Sequence, residues 1–136
     1  MSKDAFDKQS LIKYRLERAE ETLRDAHLLL DKGGSSASIV NRAYYAMFYA
    51  VLALLITIEK GTSKHSGVIS SFDKHFVKTG IFPKELSKAL HRAFDYRQMG
   101  DYRELLNIAR DQAAETLHTA QQFVRDIEIY LQGDKK

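Results

Sequence analysis

Cysteine is absent from the 136 residues, which excludes disulfides, thiolate metal sites and cysteine nucleophiles. Proline occurs once, at Pro83. No alternating run is long enough to argue for a strand. The longest charge-free stretch, Ala43 to Ile58, has 16 residues including three tyrosines. It falls short of the roughly 20 apolar residues that a spanning helix needs. The opening MSKDAFDKQS has no apolar signal region. These absences lead to the expectation of a cytoplasmic protein with no membrane contact. There is no H-E-x-x-H motif, no pair of Glu-x-x-His motifs, no glycine-rich phosphate loop and no G-x-S-x-G elbow. His65 and His75 stand ten apart, not at the i, i+4 spacing of a metal pair. No metal and no cofactor is expected.

A chain of this length suits one domain, 1–136, with a core over about 10–130, and can bury a core without staples. The net charge of +3 is unevenly spread. Residues 60–103 hold nine Lys/Arg against four Asp/Glu, and three of the five histidines. A basic segment of this kind marks either a polyanion-binding face or an ordinary solvated helix face.

The pattern predicts an all-α, up-and-down bundle of about five helices. Helix one covers about 5–32, with Ile12, Leu16, Ala19, Leu23, Ala26 and Leu30 stepping by four and three. Helix five covers about 103–132, with Ala113, Leu117, Ala120, Val124, Ile127 and Leu131 in the same rhythm. That spacing is a seam for left-handed helix packing, and the two seams could pair with each other. Helix two, about 36–60, is apolar almost all round over 43–58 and should be surrounded by neighbours. Gly33-Gly34 ends helix one, Ser35 or Ser36 caps helix two, and Gly61 ends it. Helix three runs from about Thr62 or Ser63 to Lys78, burying Val68, Ile69, Phe72 and Phe76. Pro83 suits the first turn of helix four, which runs to about Gln98 and buries Leu86, Leu90, Ala93 and Phe94.

Three stretches carry candidate chemistry. In NRAYYAMFYA, residues 41–50, Arg42, Tyr45 and Tyr49 share one helix side, whereas Tyr44, Phe48, Val51 and Leu55 look like core. A cation and two phenols pointing one way suit an anion or nucleotide site. Equally, Arg42 suits an internal ion pair with a carboxylate from another helix. In RQMGDYRE, residues 97–104, Gly100 stops helix four, and Asp101 and Glu104 resemble a capping box opening helix five. Arg97 and Tyr102 are left unexplained by that punctuation and could face Arg42, with Asp101, across the bundle. In TSKHSGVISSF, Lys64 and His65 stand in the first turn of helix three. A helix N-terminus flanked by a cation and a histidine suits a phosphate, and a histidine titrates near neutral pH. An exposed histidine at a helix start is also common.

Together, NRAYYAMFYA, KHSGVISSF with its FVKTG extension, and RQMGDY resemble the HEPN domain family over about residues 10–130. The name stands for higher eukaryotes and prokaryotes nucleotide-binding domain. The resemblance implies a helical bundle and a homodimer. It also implies a toxin of a prokaryotic toxin–antitoxin pair whose partner is a minimal nucleotidyltransferase. Ribonuclease members carry an R-x(4–6)-H motif in which arginine and histidine act on RNA. None of the nine arginines here has a histidine at that distance, so enzymatic activity is left open. Some family toxins end the motif with a tyrosine that the partner modifies with AMP. Tyr102, five residues after Arg97, occupies the comparable place.

Three readings follow. The first is a nucleotide-binding or partner-binding HEPN component using Arg42, Tyr45, Tyr49, Lys64, His65, Arg97, Asp101 and Tyr102. The second is a ribonuclease with a displaced base, His65 beside Arg42 or Arg97. The third is a structural dimerisation module whose polar residues are struts.

Overall fold

The structure, a computed structural model, describes residues 3–60, 64–100 and 108–133. Among the described residues it is an all-α bundle of five helices: α1 (Lys3–Asp31), α2 (Ser36–Thr57), α3 (His65–Phe72), α4 (Lys84–Gly100) and α5 (Arg110–Gly133). A π-helical turn, Asp73–Val77, continues α3.

The sequence punctuation explains most boundaries. Gly33 adopts φ +79°, and Gly34 N–H donates to the Leu29 carbonyl while Gly33 N–H donates to that of Leu30. This Schellman pattern satisfies carbonyls that the end of α1 would leave unpaired. Arg110, the first residue of α5, donates to the Leu30 and Gly34 carbonyls and so ties the two helix ends together. Ser35 is the N-cap of α2, its hydroxyl accepting from Ser38 N–H at 3.1 Å.

Other boundaries differ from the sequence expectation. α2 ends at Thr57, and Glu59 takes the left-handed position with φ 57°. Lys60 N–H donates to Leu55 O and Glu59 N–H to Ile56 O, which is a second Schellman closure built without glycine. Helix five does not run continuously from 103, because Ile108 and Ala109 are not helical. The Gln112 side chain reaches back to accept from Ala109 N–H at 3.0 Å, half of a capping box at the true start. The expected caps Asp101 and Glu104, the stop Gly61 and the starts Thr62 and Ser63 lie outside the described residues. The last turn of helix three is wide: Lys78 N–H reaches the Asp73 carbonyl, five residues back, at 2.8 Å. Even so, Val68, Ile69, Phe72 and Phe76 are buried as the pattern predicts.

α2 is the hub. It touches α1, α3, α4 and α5, and its contacts with α1 and α5 are the most extensive in the bundle. The seams of α1 and α5 therefore face α2 rather than chiefly each other. An all-round apolar helix offers both seams more surface than either offers the other. Ala19, Ala26, Ala113 and Ala120 have no exposed surface, and these small side chains let the backbones approach. By length and composition α2 could cross a membrane, but about two-thirds of that window is buried inside the bundle. A core helix passes the same test.

Candidate functional site

Two successive helical rows of α2 build the site. Tyr44 and Phe48 point inward and are buried, and Tyr45 and Tyr49 sit half-buried on the rim. α4 brings Arg97 over this rim. Its Nη2 donates to the Tyr45 hydroxyl at 3.2 Å. Its guanidinium carbon lies 5.5 Å from the Tyr45 ring centroid and 5.9 Å from that of Tyr44. The Arg42 guanidinium lies 5.7 Å from the same Tyr45 ring, and its Nη2 donates to Asn41 Oδ1 at 3.1 Å. Two guanidinium groups therefore converge on one aromatic ring. Among the described residues, no carboxylate pairs with either. The Nε of Arg97 is buried and has no hydrogen-bond partner among the described residues, an arrangement that costs free energy unless a ligand or water satisfies it.

α3 supplies the third component. His65 is half-buried rather than exposed. Its imidazole stacks on Phe48, with centroids 4.4 Å apart and planes 14° from parallel. Its Nδ1 is 2.7 Å from the Tyr44 hydroxyl. Burial holds the His65 pKa below the usual histidine value, and the nearby Arg97 charge lowers it further. The imidazole is thus neutral at neutral pH, and Nε2 is its free proton acceptor in the tautomer whose Nδ1–H donates to the Tyr44 hydroxyl. Burial also drives the Tyr44 phenol well above its ordinary range, against a smaller opposing pull from Arg97. Tyr44 stays a neutral phenol that holds the imidazole in place.

Of the residues singled out in the sequence, the structure brings together Arg42, Tyr45, His65 and Arg97. Tyr49 departs from this group in its bonding. Its hydroxyl accepts from Arg18 Nη2 of α1 at 3.1 Å, and the Arg18 guanidinium lies 5.0 Å from its ring centroid. Its ring still neighbours Tyr45, at 6.0 Å. Lys64 is exposed and fills the N-cap position of α3 without a side-chain cap. Asp101 and Tyr102 lie outside the described residues. Sequence reasoning missed Tyr44, filed as core, and Arg18. The usable signal for Tyr44 was its phenol at a core position, since a buried hydroxyl seeks a partner. Among the described residues, no three acidic or histidine side chains converge as metal ligands.

A family model described as the HEPN domain matches residues 12–130 of this chain. The protein belongs to the HEPN family. It is 42% identical over 130 residues to a UPF0332 protein of Thermotoga maritima, covering 96% of this chain and 98% of the relative. It is 37% identical over 116 residues to a Methanocaldococcus jannaschii protein that carries the name Putative toxin MJ0142, covering 85% and 78% of the two chains. A second protein of that organism, named Putative toxin MJ0605, is 34% identical over 87 residues, or 64% of each chain. These relatives fit a toxin-like HEPN protein, and the arginine–histidine face described above is carried within the matched span.

Proposed function

We propose that this HEPN protein binds the phosphate of a nucleotide or RNA on the Arg42–Arg97 face. In this reading it is the toxin-type component of a cytoplasmic toxin–antitoxin pair, forms a homodimer, and works beside a minimal nucleotidyltransferase. The observation that carries the reading is the pair of guanidinium groups over Tyr45, with a buried, unpartnered Nε on Arg97. An internal strut would require a carboxylate there, and among the described residues none stands there. A phosphate accepts from several guanidinium N–H groups at once. The names of the relatives support the toxin-type role. Anisotropy titration of a fluorescent oligoribonucleotide and of labelled AMP at two salt concentrations tests it. Affinity that falls with added salt is expected, because phosphate contacts release counterions. No binding at low salt would overturn the proposal. Coexpression with a minimal nucleotidyltransferase, followed by mass spectrometry of the Tyr102 peptide, tests the partner; an unmodified peptide counts against AMP transfer to Tyr102.

A second reading is favoured by His65. A neutral imidazole beside Arg97 suits a general base that takes a 2′-hydroxyl proton while the guanidinium stabilises charge on the phosphorus oxygens. Labelled RNA cleaved by the wild type but not by His65→Ala or by Arg97→Ala would identify a ribonuclease without the family's usual histidine.

A further inference from the structure

A groove runs between α1 and α5, with the last turn of α2 contributing Ile56 to it, and it shares no lining residue with the arginine face. It encloses about 730 Å³. Its α1 wall extends from Lys8 to Arg24, about 24 Å along a helix. That length matches about four turns of a helix laid along the groove.

The groove is graded along its length. At one end Ile12, Leu16, Ile56 and Leu131 supply an apolar floor. One turn beyond Leu16, Glu20 of α1 meets Glu128 of α5, and the two carboxyl groups hydrogen-bond to each other. Burial, reinforced by the Glu20 bond and charge, pushes Glu128 up to about 7. Arg125 on α5 offsets this only in part. Glu17 adds a third acid on the α1 wall, and Lys8, Lys13 and Arg24 stand along the same wall. None of those three cations figures among the influences on Glu128. Glu128 keeps a proton near neutral pH because Arg125 offsets its burial only in part.

We propose that this groove docks a helix of a partner protein whose ridge carries apolar side chains followed, about a turn later, by a lysine or arginine that pairs with Glu20 and Glu128. The apolar floor favours this occupant over a small amine, which would fill the acidic end alone. Helix-in-groove recognition places anchors at i, i+3 or i+4 and i+7, a spacing that the floor of Ile12, Leu16, Ile56 and Leu131 would accept. The charge match selects the register. A proton on Glu128 competes with the incoming cation, so docking strengthens as pH rises through about 7.

The test uses the full chain and a fluorescein-labelled helical peptide of about four turns, with leucines at i and i+4 and an arginine at i+8. A counterpart peptide has glutamate in place of the arginine. The arginine peptide should bind at least tenfold more tightly than its counterpart at pH 8, and more weakly at pH 6. In Glu128→Gln both the preference and the pH dependence should be lost. This variant should fold, because it removes a like-charge contact, and an unchanged or higher melting temperature checks that. Equal binding by the two peptides, no binding at pH 8, or a pH dependence that persists in Glu128→Gln would overturn the proposal. So would displacement of the peptide by spermidine together with tolerance of alanine at the leucine positions, which would mark a polyamine site.

Discussion

Replacing Arg97 by methionine separates a phosphate ligand from an internal strut. Among the described residues, the guanidinium donates one hydrogen bond, to Tyr45, at 3.2 Å, worth about 1 kcal/mol net. Its two ring contacts, at 5.5 and 5.9 Å, add about 0.5–1 kcal/mol each. Against these stands the buried, unpartnered Nε, whose desolvation costs about 1–3 kcal/mol. The two sides nearly cancel. Methionine keeps the apolar stem, and the half-exposed Tyr45 hydroxyl regains water. Arg97→Met should therefore change stability by less than about 1 kcal/mol, or about 3–5 °C in melting temperature for a chain of this size. Phosphate affinity should fall much further. Losing charge-assisted hydrogen bonds worth about 1.5–3 kcal/mol corresponds to roughly 10- to 150-fold. Urea denaturation followed by circular dichroism gives the first quantity, and anisotropy with a labelled oligoribonucleotide gives the second. A strut produces the opposite result. Stability lost by more than about 3 kcal/mol, with affinity unchanged, would refute the phosphate reading.

Three further outcomes are expected. Tyr44→Phe removes the hydroxyl bonded to His65 and should cost about 1–2 kcal/mol with no change of helix content; a neutral effect in denaturation would mean that His65 re-bonds elsewhere. Glu59→Gly relieves a non-glycine residue at φ 57°, where strain of about 1–2 kcal/mol outweighs the entropy of glycine and the exposed Lys8 ion pair. It should raise stability by about 0.5 kcal/mol, and a loss above 1 kcal/mol would contradict that account. The His65 pKa is lowered in the fold, so the unfolded chain binds a proton that the folded chain refuses. The resulting stability is present above about pH 6.5 and is lost as pH falls towards the folded-state value. NMR titration should place the His65 midpoint below that of the unfolded chain, and Arg97→Met should move it up; a midpoint unmoved by that substitution would remove the Arg97 charge as a cause.

The helices were legible because apolar spacing reports burial directly. The seam residues of α1 and α5 are buried or half-buried where the rhythm places them. Which seam meets which was not legible, because a stripe names no partner, and α2 took both. Boundaries failed where the backbone used an unexpected residue. Glu59 closes α2 without glycine, and Ala109 opens α5 by borrowing Gln112. The π turn at Asp73–Val77 leaves the apolar pattern intact and so gives no sign in the sequence. At the site, the offsets of three and seven put Arg42, Tyr45 and Tyr49 on one side, but could not say that Tyr49 would be taken by Arg18. Tyr44 was hidden by the reverse problem: its ring is core and its hydroxyl is part of the site.

The hub position of α2 has a consequence for motion. A helix touched on every side can open its amide hydrogen bonds only when the whole bundle comes apart, so its amides should exchange with solvent at the rate of global unfolding. α3 has fewer neighbours and can detach on its own at lower free energy. Tyr44 and Tyr45 ride on the first element and His65 on the second. The phenolic rim is thus a permanent fixture, whereas the imidazole is intermittently withdrawn, and deuterium uptake at α3 would report how often the complete constellation is assembled.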